Sequence, residues 1–262
     1  TTMNTISADT KALNAEVRAQ IYKILAKSFL YPTKDFFDSI GTQEYTQALL
    51  RYCSLNASSS ELQATIQAVC EMLKSGEQGP TPGTLEYEYN RLFAHLGSAK
   101  CPPYETEYGY DNVFQKTQTM ADIAGFYKAY GLEVSDTNAE RVDFLGTELE
   151  FMAFLSLQEA YAREQGEHEH IEICVDTQRK FMKDHLGRWT GIFTKILART
   201  TEEKFYENAG KQLEEFVGNE LGRLNVFPEE VTAPSKEPPA SQEPFGCEGC
   251  VSPTSAGSTE KS

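Results

Sequence analysis

The chain has 262 residues, 40% of them hydrophobic, which suffices for one large domain or two small ones with a buried core. Its 39 acidic and 24 basic residues give a net charge of −15, which disfavours binding to nucleic acid or anionic membrane surfaces, because both are bound through Lys and Arg. The acidic balance favours a cationic partner or plain solubility.

The sequence predicts neither export nor membrane insertion. No apolar run approaches the roughly 20 residues that span a bilayer. The first residues, TTMNTISADTKALNAEVRAQ, lack the apolar region of a secretory signal. The six cysteines follow no pairing rhythm, as expected of reduced thiols. We therefore expect a cytoplasmic protein without a membrane span.

Apolar residues recur at helical spacing along the first half of the chain. A first helix should stop near Tyr31 and Pro32, because the residue before a proline disfavours helical geometry. Ser58 and Glu61 have the spacing of a capping box ahead of a second apolar stripe. The composition of residues 76–83, GEQGPTPG, predicts a loop.

The second half keeps the helical spacing and shows no convincing period-2 strand. Gly131 fits the C′ position of a helix, and the longest helix is predicted over residues 138–164. A short helix should hold Trp189, and Thr200 with Glu203 should cap a last helix. The sequence thus predicts an all-α fold, a single globular bundle of several helices.

Composition divides the chain into three segments. Residues 1–14 are expected to be a flexible N-terminus, and residues 15–227 to form the helical domain. Residues 228–262 are rich in Pro, Ser, Glu and Gly, so they cannot bury enough apolar surface to offset the entropy lost on ordering. We expect a disordered tail there, which contains the CxxC pair Cys247 and Cys250.

Motifs for metal binding and catalysis are sparse. A di-iron bundle needs two Glu-x-x-His motifs, and we find one, Glu167 with His170, in a charged stretch. Zinc sites usually combine two CxxC pairs, or one pair with histidines. For the lone pair Cys247 and Cys250, two interpretations stay open: two free thiols, or a zinc or cluster contact shared with a partner. Hydrolase and phosphate-loop motifs are absent, so we expect no enzyme activity.

The stretch PPYETEYG, residues 102–109, combines two prolines, two tyrosines and the carboxylates of Glu105 and Glu107, without a basic residue. Three interpretations are open at this point. The loop can hold a catalytic carboxylate pair, form a lip that binds something cationic, or simply connect two helices.

Four motifs, in this order, resemble the TorD/DmsD/NarJ family: EYNRLF (88–93), PPYETEYG (102–109), VDFLGTELEFMAFL (142–155) and FMKDHLGRWTGIF (181–193). The resemblance covers residues 15–227. It implies a cytoplasmic, TorD-like helical chaperone that binds the apo-form of a molybdenum enzyme's catalytic subunit. Many members of the family recognise that subunit's twin-arginine leader and support cofactor insertion before export.

The resemblance also implies a set of client-binding residues. The family's loop motif matches Tyr104, Glu105 and Tyr108, and its later motifs match stretches around Asp143 and Trp189. The usual histidine after the aspartate is Phe144 here, so any contact of that histidine with a leader or nucleotide is made differently or not at all. The candidate residues are Tyr104, Glu105, Glu107, Tyr108, Asp143, Phe144, Glu148, His185 and Trp189.

The chemistry of a twin-arginine leader agrees with this assignment. Its guanidinium groups pair with carboxylates, and tyrosine faces add cation–π contacts. Its apolar run would occupy a groove between helices. We therefore expect Glu105 and Asp143 to make the principal contacts. The alternative is structural: Tyr104 and Tyr108 pack the loop onto the bundle, and Glu105 caps the following helix.

The resemblance further defines expected partners and cofactors. The client would be a catalytic molybdenum subunit of the dimethyl-sulfoxide reductase superfamily, of the ethylbenzene or dimethyl-sulfide dehydrogenase type. We expect no intrinsic cofactor, transient contact with molybdopterin guanine dinucleotide or guanine nucleotide, and zinc only at the tail CxxC. The chain would be a monomer or a dimer. Two alternatives stay open: a metal- or redox-active helical protein that uses the CxxC, and an accessory subunit retained in the mature enzyme.

Overall fold

The described part of the chain is built from α-helices. The computed structural model describes residues 8–33, 81–94, 99–109, 112–134 and 140–232. No strand occurs within these ranges, which confirms the predicted all-α fold for them. The helices are α1 (Ala8–Ser28), α2 (Pro82–Leu92), a short 3₁₀ helix (Glu105–Glu107), α3 (Val113–Ala129), α4 (Leu145–Gln165), α5 (His168–Asp184), α6 (Leu186–Thr200) and α7 (Lys204–Leu224).

Helix α4 lies at the centre of the arrangement. It forms the most extensive helix pair with α1, and α5 packs on both α4 and α6. Helix α7 packs mainly on α6 and also touches α1, so these helices enclose a common core. Its largest fully buried side chains are mostly aromatic and include Trp189, Tyr22, Tyr108 and Phe193. Each such side chain removes about 150–250 Å² from water, which makes this core the main source of stability.

Local sequence fixes several helix ends. The Thr84 N–H donates to Thr81 Oγ1 at 3.2 Å, and the Thr81 N–H donates to Thr84 Oγ1 at 2.9 Å, which forms a capping box ahead of α2. Pro82 lies in the first turn, where its missing N–H costs nothing. Two residues of the loop predicted over 76–83 are therefore helical. Gly131 follows α3 with a φ of 69°, which confirms the predicted C′ glycine.

Three predicted boundaries differ from the structure. Helix α4 begins at Leu145, later than predicted, because the Leu145 N–H donates instead to the Pro103 carbonyl of a distant loop, at 2.9 Å. Helix α6 has 15 residues, so it is not short. The predicted cap of the last helix is wrong: the Thr200 hydroxyl donates to the Ile196 carbonyl at 2.7 Å within α6, and the N-cap Glu203 makes no side-chain cap.

Some predictions fall at or beyond the limits of the described residues. The capping box of Ser58 and Glu61 and the pair Cys247 and Cys250 lie outside them. Helical structure starts at Ala8, before the predicted start of the domain. The described beginning of the tail lies against α6: the Val231 N–H donates to the Arg188 carbonyl at 3.2 Å. None of the described helices combines the length and apolar character needed to cross a membrane.

Candidate functional site

The PPYETEYG loop pairs with the segment that leads into α4. The Glu105 N–H donates to the Asp143 carbonyl at 2.9 Å, and the Leu145 N–H donates to the Pro103 carbonyl at 2.9 Å. These two backbone hydrogen bonds hold two motifs side by side that are far apart in the sequence. Most of the candidate residues therefore meet at one place, between this loop, α4 and α6.

Buried side chains fix the inner side of the loop. The ring of Tyr108 stacks on Trp189 with 5.3 Å between centroids, and the Trp189 Nε1–H donates to Glu148 Oε2 at 3.1 Å. His185 Nδ1 lies 3.1 Å from Glu105 Oε2. All five side chains are buried. Tyr108 thus packs the loop onto α6, as the structural alternative predicts.

Three buried carboxylates, those of Glu105, Asp143 and Glu148, lie in this small volume. Burial, and then the negative charge of Glu105, raise the pKa of Glu148 well above its usual range. Glu148 therefore favours its protonated form more strongly than an exposed glutamate does, and protonation reduces its repulsion from Glu105.

His185 connects this cluster to a polar cleft of about 740 Å³ between α3 and the junction of α5 and α6. Its Nε2 lies 3.3 Å from Asp122 Oδ2, in a geometry that does not make a hydrogen bond. Lys183 and Arg188 also line the cleft, together with acidic and neutral polar residues. The cleft therefore combines both signs of charge.

On the outer side of the site, the side chain of Asp143 accepts several hydrogen bonds. It accepts hydrogen bonds from Arg141 Nε at 2.9 Å and from Arg141 Nη2 at 2.7 Å. It also accepts from the N–H and the hydroxyl of Thr106, at 3.1 and 2.7 Å. The carboxylate expected to receive a client guanidinium therefore already holds an arginine of the same chain.

The structure brings all nine candidate residues together, but it buries seven of them. Only Tyr104 and Glu107 are half-buried. The alternative role for Glu105 as a helix cap is wrong, because the N-cap of α3 is Asn112. In the described conformation the loop is a packed wall rather than an open lip.

An apolar pocket of about 400 Å³ lies beside this wall and shares Phe144 with it. Three exposed carboxylates, those of Glu133, Glu140 and Glu150, also line the pocket, and none of the lining residues that the structure describes is basic. A pocket of this kind suits a ligand that is apolar at its centre and cationic at its edges. The hydrophobic lining consists of Leu30, Tyr127, Leu132, Val134, Phe144, Phe151 and Phe154.

Sequence reasoning missed the three pocket carboxylates. Glu133 follows α3, Glu140 precedes α4, and Glu150 is one of several acidic residues on α4. None belongs to a recognisable motif, and which of many surface glutamates meet at a pocket depends on the packing of α3 against α4. In the sequence, only the position of Glu140 three residues before Asp143, at the edge of the family-like motif, pointed to one of these carboxylates.

Metal binding has no support in the part of the chain that the structure describes. No group of three His, Cys, Asp or Glu side chains there could hold a metal ion. Glu167 and His170 form an exposed pair, with His170 Nδ1 at 2.6 Å from Glu167 Oε2, at the start of α5. The pair is a local contact at a helix end, so the di-iron interpretation gains nothing from it.

Comparison with known proteins gives a consistent result. Residues 55–195 match the family model described as nitrate reductase delta subunit. The chain is 32% identical over 151 residues to a chlorate reductase assembly chaperone protein of Ideonella dechloratans, which covers 56% of this chain and 73% of the relative. It is also 32% identical over 150 residues to a selenate reductase assembly chaperone protein of Thauera selenatis, which covers 55% and 72%.

Proposed function

This chain belongs to the nitrate reductase delta subunit family, and from this premise we propose that it is an assembly chaperone, not an enzyme, for the catalytic subunit of a molybdenum oxidoreductase. Two relatives that carry the name of assembly chaperones for chlorate and selenate reductase support the proposal. The observation that carries it within the molecule is the apolar pocket with three exposed carboxylates next to the family's motif loop.

The pocket matches the chemistry of a twin-arginine leader. Such a leader places two guanidinium groups beside an apolar run. The apolar run would bury side chains against Phe144, Phe151 and Phe154, and the guanidinium groups would face Glu140 and Glu150 at the edge of the pocket. Exposed pairs of this type give specificity and a faster encounter more than raw affinity.

The proposal gives the deeply buried candidate residues an indirect role. Glu105, Glu148, His185 and Trp189 are buried and form two contact pairs, His185 with Glu105 and Trp189 with Glu148, so they position the wall of the pocket rather than touch the leader. Phe144 belongs to both the wall and the pocket and is the candidate that contacts the leader directly. Tyr104 and Glu107 remain reachable from solvent.

Several finer points remain predictions that accompany this proposal. We predict that the chain supports cofactor insertion before export and makes transient contact with molybdopterin guanine dinucleotide or guanine nucleotide. We also predict a zinc ion at Cys247 and Cys250. The type of client, ethylbenzene or dimethyl-sulfide dehydrogenase, is equally a prediction.

The test is a calorimetric titration of the chain with a synthetic leader peptide of the host's molybdenum catalytic subunit. Changing Glu133, Glu140 and Glu150 together to Gln should weaken binding by about 3-fold to 150-fold, since the contacts of three exposed carboxylates with the leader's cations, of about 0.2–1 kcal/mol each, are removed. The matched control changes the exposed residues Glu169, Glu172 and Glu214 to Gln, with the same change in net charge.

The two variants separate a local from a general effect. If both triple variants lose affinity equally, general charge attraction explains binding and the pocket does not. If the wild-type chain binds neither the leader nor the apo-subunit, the chaperone proposal itself is wrong.

A further inference from the structure

The guanidinium of Arg141 lies in a complete binding site made by its own chain. Besides its two hydrogen bonds to Asp143, its Nη2 donates to Thr106 Oγ1 at 2.5 Å and its Nη1 donates to Glu107 Oε1 at 3.3 Å. The guanidinium carbon lies 4.5 Å from the centre of the Tyr104 ring. Two carboxylates, a hydroxyl and an aromatic face are what a protein uses to recognise arginine, as opposed to lysine.

This guanidinium site adjoins the apolar pocket. The Tyr104 ring packs against Phe144 with 5.7 Å between centroids, and the Tyr104 hydroxyl donates to Glu140 Oε2 at 3.3 Å. Both Phe144 and Glu140 line the pocket. A peptide with an apolar side chain in the pocket would therefore hold a neighbouring arginine close to the face of Tyr104.

We propose that Arg141 is an internal stand-in for an arginine of the client, and that a client arginine displaces it from this site. The inference rests on the proposed function and adds to it a self-occupied arginine site that regulates client binding. Asp143 is fully buried, so it needs a cationic partner at all times, and Arg141 supplies one when no client is present.

The position of Arg141 suits an exchange. It lies in the segment before α4 and belongs to no helix, and its side chain is 29% exposed at the edge of the site. A client guanidinium would restore every hydrogen bond that Arg141 gives up. Self-occupation lowers the apparent affinity for the client in proportion to the time that Arg141 spends in the site. It thereby favours ligands that contribute both an arginine and an apolar segment.

The experiment removes the stand-in and measures binding of a minimal ligand. In Arg141→Ala, acetyl-arginine-amide should bind roughly tenfold or more tightly than in the wild-type chain, because competition is gone. Acetyl-lysine-amide should show no such gain, because an ammonium lacks the planar fork. The matched control, Arg179→Ala, removes an arginine that forms an exposed ion pair with Asp176 outside the pocket. It should bind arginine amide as the wild-type chain does.

A second measurement on the wild-type chain covers the case in which Arg141→Ala fails to fold. The Nε–H signal of Arg141, assigned in the NMR spectrum by comparison with Arg141→Lys, should shift when the leader peptide saturates the protein. An unchanged signal in the saturated complex overturns the inference. An equal gain for arginine and lysine amides in Arg141→Ala also overturns it, as does no gain at all.

The outcomes also separate this inference from the proposed function. If the leader binds the wild-type chain and Arg141→Ala with equal affinity, the chaperone function stands and the stand-in role falls. If neither chain binds the leader or the apo-subunit, the proposed function falls. Acetyl-arginine-amide then still reports on its own whether the site accepts a guanidinium that comes from outside the chain.

Discussion

Two clusters of buried charge among the described residues differ in how their charges are matched. The first, which we call the balanced cluster, joins α1, α4, α5 and α7 through residues that do not line the pocket. The second, the acidic cluster, supports the wall of the pocket. The balanced cluster consists of Arg18, Tyr22, Glu159, Arg163, Gln178, Glu220 and Arg223, and the acidic cluster of Glu105, Asp143, Glu148, His185 and Trp189.

Each carboxylate of the balanced cluster has guanidinium partners. Glu159 accepts from Arg18 at 2.7 Å and lies 2.7 Å from Arg163 Nη2, while Arg223 donates to Glu220 at 2.8 Å. Burial alone would raise the pKa of Glu159, but the charges of Arg18 and Arg223 and the hydrogen bonds from Gln178 and Arg163 together outweigh it, so the pKa lies below its usual range.

The acidic cluster holds more negative than positive charge. One arginine at its edge serves Asp143, and in the deeper part of the cluster burial and the negative charge of Glu105 together raise the pKa of Glu148. A cluster that served stability alone would be matched like the first one. The comparison therefore indicates that the acidic cluster lowers the stability of the fold. Buried ionisable groups with perturbed pKa values of this kind are common at functional sites.

The largest expected effect tests the balanced cluster. Glu159→Ala leaves Arg18 and Gln178 buried without their shared acceptor, so we expect a loss of about 3–5 kcal/mol in the free energy of unfolding. Urea denaturation at neutral pH measures it. A loss below about 1 kcal/mol would show that this cluster does not hold the helices together.

The next effect tests how firmly the pocket wall is held. Trp189→Phe removes the donor to Glu148 Oε2 and part of a fully buried ring, so we expect a loss of about 2–3 kcal/mol. The change should also broaden the NMR signals of the Tyr108 ring, which stacks on the indole. Wild-type stability in this variant would contradict the assigned packing of the loop.

The same substitution in the two clusters should give opposite pH dependence. Glu148 has a raised pKa in the folded state, so wild-type stability falls as pH rises from the unfolded value of about 4.3. Glu148→Gln removes this loss, and its stability relative to wild type should increase with pH in that window.

Glu159 has a lowered pKa, so its contribution is present above about 4.3 and is lost as pH falls through the folded-state pKa. Glu159→Gln should therefore be less stable than wild type at neutral pH and approach it in acid. Denaturation curves from pH 3.5 to 8 compare both variants, a range that brackets the carboxyl pKa values of about 4. If the stability difference from wild type changed with pH in the same direction for both variants, the proposed difference between the clusters would be wrong.

The smallest expected change in stability comes from a surface ion pair, which serves as the reference for the buried clusters. Glu207 contacts Lys204 and Lys211 on the exposed side of α7, where solvent screens the pairs. Glu207→Gln should change the free energy of unfolding by no more than about 0.5 kcal/mol. A larger loss would mean that charge removal as such, rather than burial, explains the effects in the two clusters.

The sequence predicts the fold well because each helix carries its own apolar period. The stripe that contains Leu145, Leu149 and Met152 appears on the buried side of α4, and Gly131 ends α3 as its φ requires. Helix starts are predicted less well. Helix α4 begins late because a loop about 40 residues earlier takes the hydrogen bond of Leu145, and a local pattern contains no such information.

The candidate site is predicted in part. The motif residues do meet, as the family resemblance implies, but their burial depends on the packing of Tyr108 against Trp189. The partner of Asp143 is Arg141, two residues away in the sequence. From the family motif alone, a client guanidinium was the expected partner of Asp143.

The central claim is that this chain binds a catalytic subunit before that subunit is complete. The most direct measurement is a pull-down of the tagged full-length chain from its native host, with mass spectrometry of the captured proteins. We predict recovery of a large molybdenum catalytic subunit whose N-terminal leader is uncleaved. Recovery of that subunit only in its mature, cofactor-loaded complex, or its absence while the host produces it, would contradict the account.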